Sequence, residues 1–259
     1  MTEAQIQFQR LSDIVDELRT KCPWDIKQTK ESIRHLTIEE TYELADAILQ
    51  NDYEEMKVEL GDLLMHMLFY ASMARDEGKF SIVEVLETQI EKLIRRHPHI
   101  YGDLQGASEE EVQANWEQIK AQEKAMKGKK NASILDGVPD SMPSLVKAQR
   151  MQEKVGAMGF DWEDVSGVWD KVTEEIQEFK EAENPEARAG EMGDLLFTLV
   201  NLCRFYGINA EDALARTNVK FKQRFQFVEQ KALSANQSIQ DAGMEQLDHW
   251  WDEAKKSGL

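Results

Sequence analysis

Two sets of acidic residues carry the spacing of a metal site. One runs Glu174-Glu175-x-x-Glu178 and is followed by Glu191-x-x-Asp194; the other runs Glu39-Glu40-x-x-Glu43 and is followed by Glu59-x-x-Asp62. On a helix each residue turns about 100°. With Val172 at zero, Ile176 and Phe179 fall within about 40° of it as an apolar stripe, and Glu175 falls at about 300°, on the stripe's shoulder. Glu178 lies one step further round, and Glu174 lies almost opposite. In the other set Leu44 and Ile48 define the stripe, with Glu40 and Glu43 on its shoulder. Glu191 and Asp194 share a face at i, i+3 and run into LLFTLVNLC (195–203), which predicts a largely buried helix.

Carboxylates at the edge of a core are costly unless they are paired, hydrogen-bonded or bound to metal. Four of them from two helices suit a hard divalent cation with oxygen ligands. The candidate ligands are Glu175, Glu178, Glu191 and Asp194, and in the earlier set Glu40, Glu43, Glu59 and Asp62. Gly61 and Gly193 sit inside the acidic triplets, where a helical glycine costs roughly 1 kcal/mol against alanine. Their expected use is close approach of a neighbouring helix or ligand. A bland reading stands beside this one. In a chain with 49 acidic residues EExxE is a common helix-surface pattern, and Thr37-x-x-Glu40 is also a capping box, which would give Glu40 a local role. The recurrence of the whole arrangement, each set with its ExxD partner, favours a site.

The elements that must hold these groups are helices. Amphipathic or apolar helical patterns span about 4–20, 36–49, 52–77, 81–96 and 108–127, then 144–157, 166–183, 186–206, 210–233 and 241–256. Pro23, Asn51-Asp52, Gly78 and His97-Pro98 punctuate the first group, with Asp52 placed to cap the helix after it. No alternating apolar run bounded by hairpin turns occurs, so the chain is predicted to be all-α. Residues 126–143, with Gly128, Gly137, Pro139 and Pro143, form the expected linker between domains at 1–125 and 144–259.

Those domains repeat one another. Glu39 maps to Glu174, Glu59 to Glu191, Lys92-x-x-x-Arg96 to Lys220-x-x-x-Arg224, and Trp116-x-x-x-Lys120 to Trp251-x-x-x-Lys255, at offsets of 128 to 135. Lys and Arg at i, i+4 share a helix face and can bind phosphate oxygens; a Trp can stack on a base. Each alone is more often a solvated pair or a core anchor. Together and in order they fit a ligand that is anionic at one end and flat at the other.

Composition narrows the partners. The 259 residues carry a net charge of −18, which disfavours nucleic acid and anionic membrane. Two cysteines, Cys22 and Cys203, form no zinc or disulfide framework. Met1–Arg10 has no signal-like apolar stretch, and no run approaches the roughly 20 apolar residues of a membrane span. A reducing cytoplasm is the expected setting. No nucleophile elbow, Walker loop or dinucleotide fingerprint is present, and the histidines lack the ExxH pairs of a di-iron bundle.

The combination of EExxE with E-[LM]-G-D-L-L on an all-α chain resembles the MazG nucleotide pyrophosphohydrolases. Cys22-Pro-Trp-Asp, Glu39-Glu-Thr-Tyr-Glu, Arg95-Arg-His-Pro-His and Gly159-Phe-Asp-Trp extend the likeness to two-domain members of that family over nearly the whole length. The resemblance implies tandem helical bundles in a homodimer. It implies an Mg²⁺-dependent enzyme (Mn²⁺ in its place) that cuts nucleoside triphosphates between the α- and β-phosphates, giving a monophosphate and pyrophosphate. The metal held by the four carboxylates would polarise the phosphates and activate a water for in-line attack. Glu174 and Glu175 are then the catalytic carboxylates, Glu174 as orienter or base. Lys171, Glu174, Glu175, Lys220, Arg224, Trp251 and Lys255 would contact the substrate. The turn at His97-Pro98-His99 has no copy in the second half, so the second half is the expected main site. Two other readings compete: a noncatalytic helical scaffold or nucleotide-binding dimer, and a di-metal carboxylate bundle.

Overall fold

The computed structural model describes residues 1–102 and 133–259, together with 108, 111, 112, 115, 116, 119 and 123 between them. The described residues form helices and turns with no strand. The helix expected over 108–127 lies mostly outside them; of the seven described residues in that stretch, all but Ser108 are helical. The chain divides into two compact units, Met1–Lys130 and Asn131–Leu259.

The first unit begins with α1 (Glu3–Lys21), capped by Thr2, whose hydroxyl accepts from the Gln5 amide while the Gln5 side chain returns to the Thr2 amide. A 3-10 turn, Asp25–Lys27, is pinned to it by Arg19, which donates to the Asp25 and Gln28 carbonyls at 3.0 Å each. The hairpin α2 (Lys30–Gln50) and α3 (Tyr53–Asp76) follows. Its connection needs only Asn51 in the left-handed region and Asp52 capping the amides of Glu54 and Glu55, as the sequence predicts. Helix α2 starts six residues earlier than its apolar pattern, because Thr29 and Ser32 make the capping box. Thr37 is therefore mid-helix; its hydroxyl bonds the Ile33 carbonyl and the Tyr70 hydroxyl. Helix α1 packs across α3, and Val15, Ile33, Leu68, Phe69 and Met73 form the core. Helix α4 (Ile82–Arg96) ends at His97, and one further turn, α5 (Pro98–Tyr101), follows.

The second unit reuses the plan. A 3-10 turn, Ile134–Gly137, packs on α6 (Ser144–Gly156), and α6 packs across α8 as α1 does across α3. Helices α7 (Val165–Glu181) and α8 (Pro185–Phe205) make the hairpin, joined through Asn184, which caps the Ala187 amide at 2.9 Å with Pro185 in the first turn. Val168, Val172 and Leu202 are its core. A second hairpin, α9 (Ala210–Ser234) and α10 (Met244–Lys256), has its own cluster of Val228, Ala232, Ala242 and Trp250.

The expected burial of α8 is only half met. Thr198, Val200 and Leu202 are buried, whereas Leu196, Phe197 and Leu199 are exposed, since α6 and α7 cover one side of the helix. Nor does anything described approach Gly61 or Gly193: a Cβ at either would meet no atom within 4 Å. Among the described residues, no helix is long and apolar enough to cross a membrane.

Candidate active site

The α7–α8 hairpin converges three of the four predicted acids. Oxygens of Glu175, Glu178 and Glu191 lie within 4.8 Å of one another. Asp194 shares the Glu191 face of α8 but stays exposed outside that group. Glu175 is only 3% exposed, deeper than its shoulder position predicts, and its Oε2 is buried without a hydrogen-bond partner. A buried carboxylate oxygen left bare is expensive. The site fits a hard cation: three converging carboxylates, one with an uncommitted buried oxygen, are the donor set such an ion needs.

Lys171 is the cation already present. Its Nζ reaches Glu174 Oε1 at 2.8 Å and Glu175 Oε1 at 2.7 Å, from the i−3 and i−4 positions of the same helix. Hydrogen bonds to Glu174 and then Glu175 push its pKa well above the usual lysine value. Glu178 is shifted up, first by desolvation and then by the charge of Glu175.

The first unit builds the same gap with a different residue buried. Glu40, Glu43 and Glu59 converge within 4.8 Å, and Asp62 stands half-buried outside the group. Here Glu59, on the second helix of the hairpin, is the sequestered one at 4% exposure, again with an unpartnered Oε2. The stripe of α2 runs through Ile33, Leu36 and Ala47 rather than Ile48, which is exposed, so Glu40 sits nearer its centre than predicted. The position matching Lys171 is Leu36, which packs into the core. Among the described residues no ion pair to Lys or Arg balances the group, and Glu40 and Glu59 are both raised, first by burial and then, for Glu59, by its hydrogen bond with Glu40.

The predicted phosphate and base contacts lie on α9–α10. Arg224 stacks over the Trp251 ring at 5.9 Å and donates from Nε to the main-chain oxygen of Leu259 at 2.8 Å. Phe221 packs against Trp251 at 5.2 Å. Lys220 is exposed on the same helix, and Lys255 is paired with Asp252 at 3.1 Å. Among the described residues no hydrogen bond or ion pair joins this set to the α7–α8 acids. The first unit repeats the pair, with Arg96 over Trp116 at 5.7 Å. Lys92 and Arg96 both belong to α4, so the break at Pro98 comes just after them. Lys120 lies outside the described residues.

Comparison with known proteins fits this geometry. The model of the MazG nucleotide pyrophosphohydrolase domain matches twice, at residues 28–101 and 151–228. The chain belongs to the MazG family. Each match contains one EExxE hairpin, so the duplication read from the acids is a duplication of the MazG domain. The chain is 44% identical over 257 residues to the nucleoside triphosphate pyrophosphohydrolase/pyrophosphatase MazG of Thermotoga maritima, covering 98% of both chains. It is 41% identical to the nucleoside triphosphate pyrophosphohydrolase of Escherichia coli, again over 98% of both. The uncharacterized protein YabN of Bacillus subtilis is 44% identical over 97% of this chain, which spans 52% of that longer protein.

Sequence reasoning overlooked Glu123. Its carboxylate binds both Arg95 and Arg96. The signal was present: Glu123 stands seven residues after Trp116, two turns on and on the same helical face.

Proposed function

We propose that this chain hydrolyses nucleoside triphosphates to a nucleoside monophosphate and pyrophosphate, with Mg²⁺ or Mn²⁺, and that the α7–α8 hairpin is its principal active site. MazG membership and the names of the full-length relatives support the reaction class. The observation that carries the site is the convergence of Glu175, Glu178 and Glu191 around the bare, buried Oε2 of Glu175.

Glu175, Glu178, Glu191 and Asp194 would hold the metal, which supplies charge neutralisation of the phosphates and activation of a water. Lys171 keeps Glu174 and Glu175 oriented toward one another's neighbourhood and adds a positive charge at the rim. Glu174, exposed and with Oε2 outside its bond to Lys171, takes the proton of the attacking water. The new bond joins the water oxygen to the α-phosphorus; the α–β bridging bond breaks, and pyrophosphate departs with the electron pair. Lys220 and Arg224 neutralise the phosphate chain, and Trp251, backed by Phe221, offers a face to the base, with Lys255 at the edge. Phosphoryl transfer depends mostly on such positioning and charge.

The exposed apolar stripe Leu196, Phe197 and Leu199 supports a two-fold homodimer in which a second copy covers α8. The two domains, 1–125 and 144–259 about the 126–143 linker, then differ in role, with the first-unit set Glu40, Glu43, Glu59 and Asp62 secondary. Both cysteines are free thiols, in keeping with a reducing cytoplasm.

The test is hydrolysis in ¹⁸O-labelled water with products read by ³¹P NMR. We expect label in the monophosphate and none in pyrophosphate. Label in pyrophosphate, or release of orthophosphate with a diphosphate, would overturn the assignment of the bond.

A further inference from the structure

The two units build the same arginine-on-tryptophan element and then treat it differently. Arg96 lies over Trp116 at 5.7 Å and Arg224 over Trp251 at 5.9 Å, at matching places in the repeat. In the second unit, among the described residues, the guanidinium of Arg224 donates from Nε to the main-chain oxygen of Leu259 and meets no Asp or Glu side chain. In the first unit a carboxylate sits in front of two guanidiniums. Glu123 Oε1 accepts from Arg95 Nε at 2.9 Å, Arg95 Nη2 at 2.6 Å and Arg96 Nε at 3.3 Å, and Oε2 accepts from Arg96 Nη2 at 2.5 Å.

This is the geometry in which arginine forks receive an oxyanion: planar, multidentate and charge-assisted. It is no loose surface pair. The side chains of Arg96 and Glu123 are only 16% and 18% exposed, although Arg95 is half-exposed. The offset that carries Trp116 to Trp251 carries Glu123 to Gly258, so the second unit has no acidic side chain at the corresponding place.

We propose that Arg95, Arg96 and Trp116 form a second site for the phosphate chain of a nucleotide, and that Glu123 closes it by standing where a phosphate would bind. The two units then share one recognition element, and among the described residues a side-chain carboxylate stands in it beside α4 and not on α9–α10. The inference rests on the reading of Arg224 and Trp251 as the substrate's phosphate and base contacts.

Binding of inorganic triphosphate to the full-length protein tests it, by calorimetric stoichiometry on the wild type, Glu123→Ala and Glu123→Gln, each with and without Arg96→Ala. We expect one site per chain in the wild type. Both Glu123 variants should show a second site of at least about tenfold higher affinity than any residual first-unit binding in the wild type, abolished by Arg96→Ala. Glu123→Gln keeps the side chain's shape and one acceptor, so it reports even where the alanine variant loses helicity or melting cooperativity. An unchanged stoichiometry in a folded Glu123 variant overturns the proposal, as does a second site already open in the wild type. The underlying reading is scored separately: the wild-type site should vanish in Arg224→Ala and persist in the Glu123 variants.

Discussion

Lys171 and Leu36 occupy equivalent positions, and that one difference sets the electrostatics of the two acid groups. Lysine ties Glu174 and Glu175 into an ion-paired set, while the Glu40 and Glu59 carboxyls, next to a leucine at that place, are both shifted up, first by burial. Replacing Lys171 with leucine should lower kcat/KM on the order of 10²-fold at saturating Mg²⁺, the scale of losing one charged donor in a site; steady-state kinetics against a folded control checks it. In the first unit the sign runs the other way. Glu59 is raised above its ordinary 4.5, so the folded chain binds more protons than the unfolded one above that pH, and stability declines as pH rises through the folded value. Glu59→Gln should therefore raise the Tm of chelator-treated protein at pH 7.5, with the gain fading near pH 4. A lower Tm at pH 7.5 would contradict the burial argument. The spacing of the acids picked out the three that converge in each unit, but not that Asp62 and Asp194 fall outside those groups. It could not say which acid is buried, because that depends on the covering helix, α1 across α3 in one unit and α6 across α8 in the other.

The α7–α8 hairpin is a register device: it brings Glu175 on one helix against Glu191 on the next, with Ala182–Asn184 as the whole connection. Its Asn184 cap satisfies an amide that would otherwise be bare. Asn184→Ala should cost about 1 kcal/mol of stability and lower Tm by a few degrees, read by thermal melting, with kcat little changed. On α9–α10, Trp251→Ala should raise KM by roughly ten- to a hundredfold if the ring stacks on a base, since such stacking is worth about 1–3 kcal/mol. Trp251→Phe should recover much of that. Helix boundaries were legible wherever caps are explicit, as at Asp52 and Gly78. The start of α2 was not, because Lys30–His35 is mostly polar and its box closes with Ser32 instead of a Glu or Gln. The apolar run after Asp194 predicted burial but not its source, for a sequence pattern cannot tell a face covered within the chain from one left open like Leu196, Phe197 and Leu199.

At the scale of the whole molecule, two MazG units in one chain have diverged in how they handle charge. The second has a lysine among its acids; the first has a leucine at the matching place and pairs Arg95 and Arg96 with Glu123. Sedimentation should show a dimer at micromolar concentration, and Leu199→Asp with Phe197→Asp should shift it toward a chain of 29.8 kDa. Addition of Mg²⁺ should raise Tm as metal binds the folded state alone, and excess EDTA should abolish turnover. The proposed division of labour between the units is tested most directly by kinetics on four variants, each with its Tm. Glu175→Ala and Asp194→Ala should lose turnover by at least about 10³-fold, on the order expected when a charge-stabilising element is removed, while Glu40→Ala and Asp62→Ala should keep most of it. Loss of turnover in the Glu40 and Asp62 variants with survival in the other two would contradict the account.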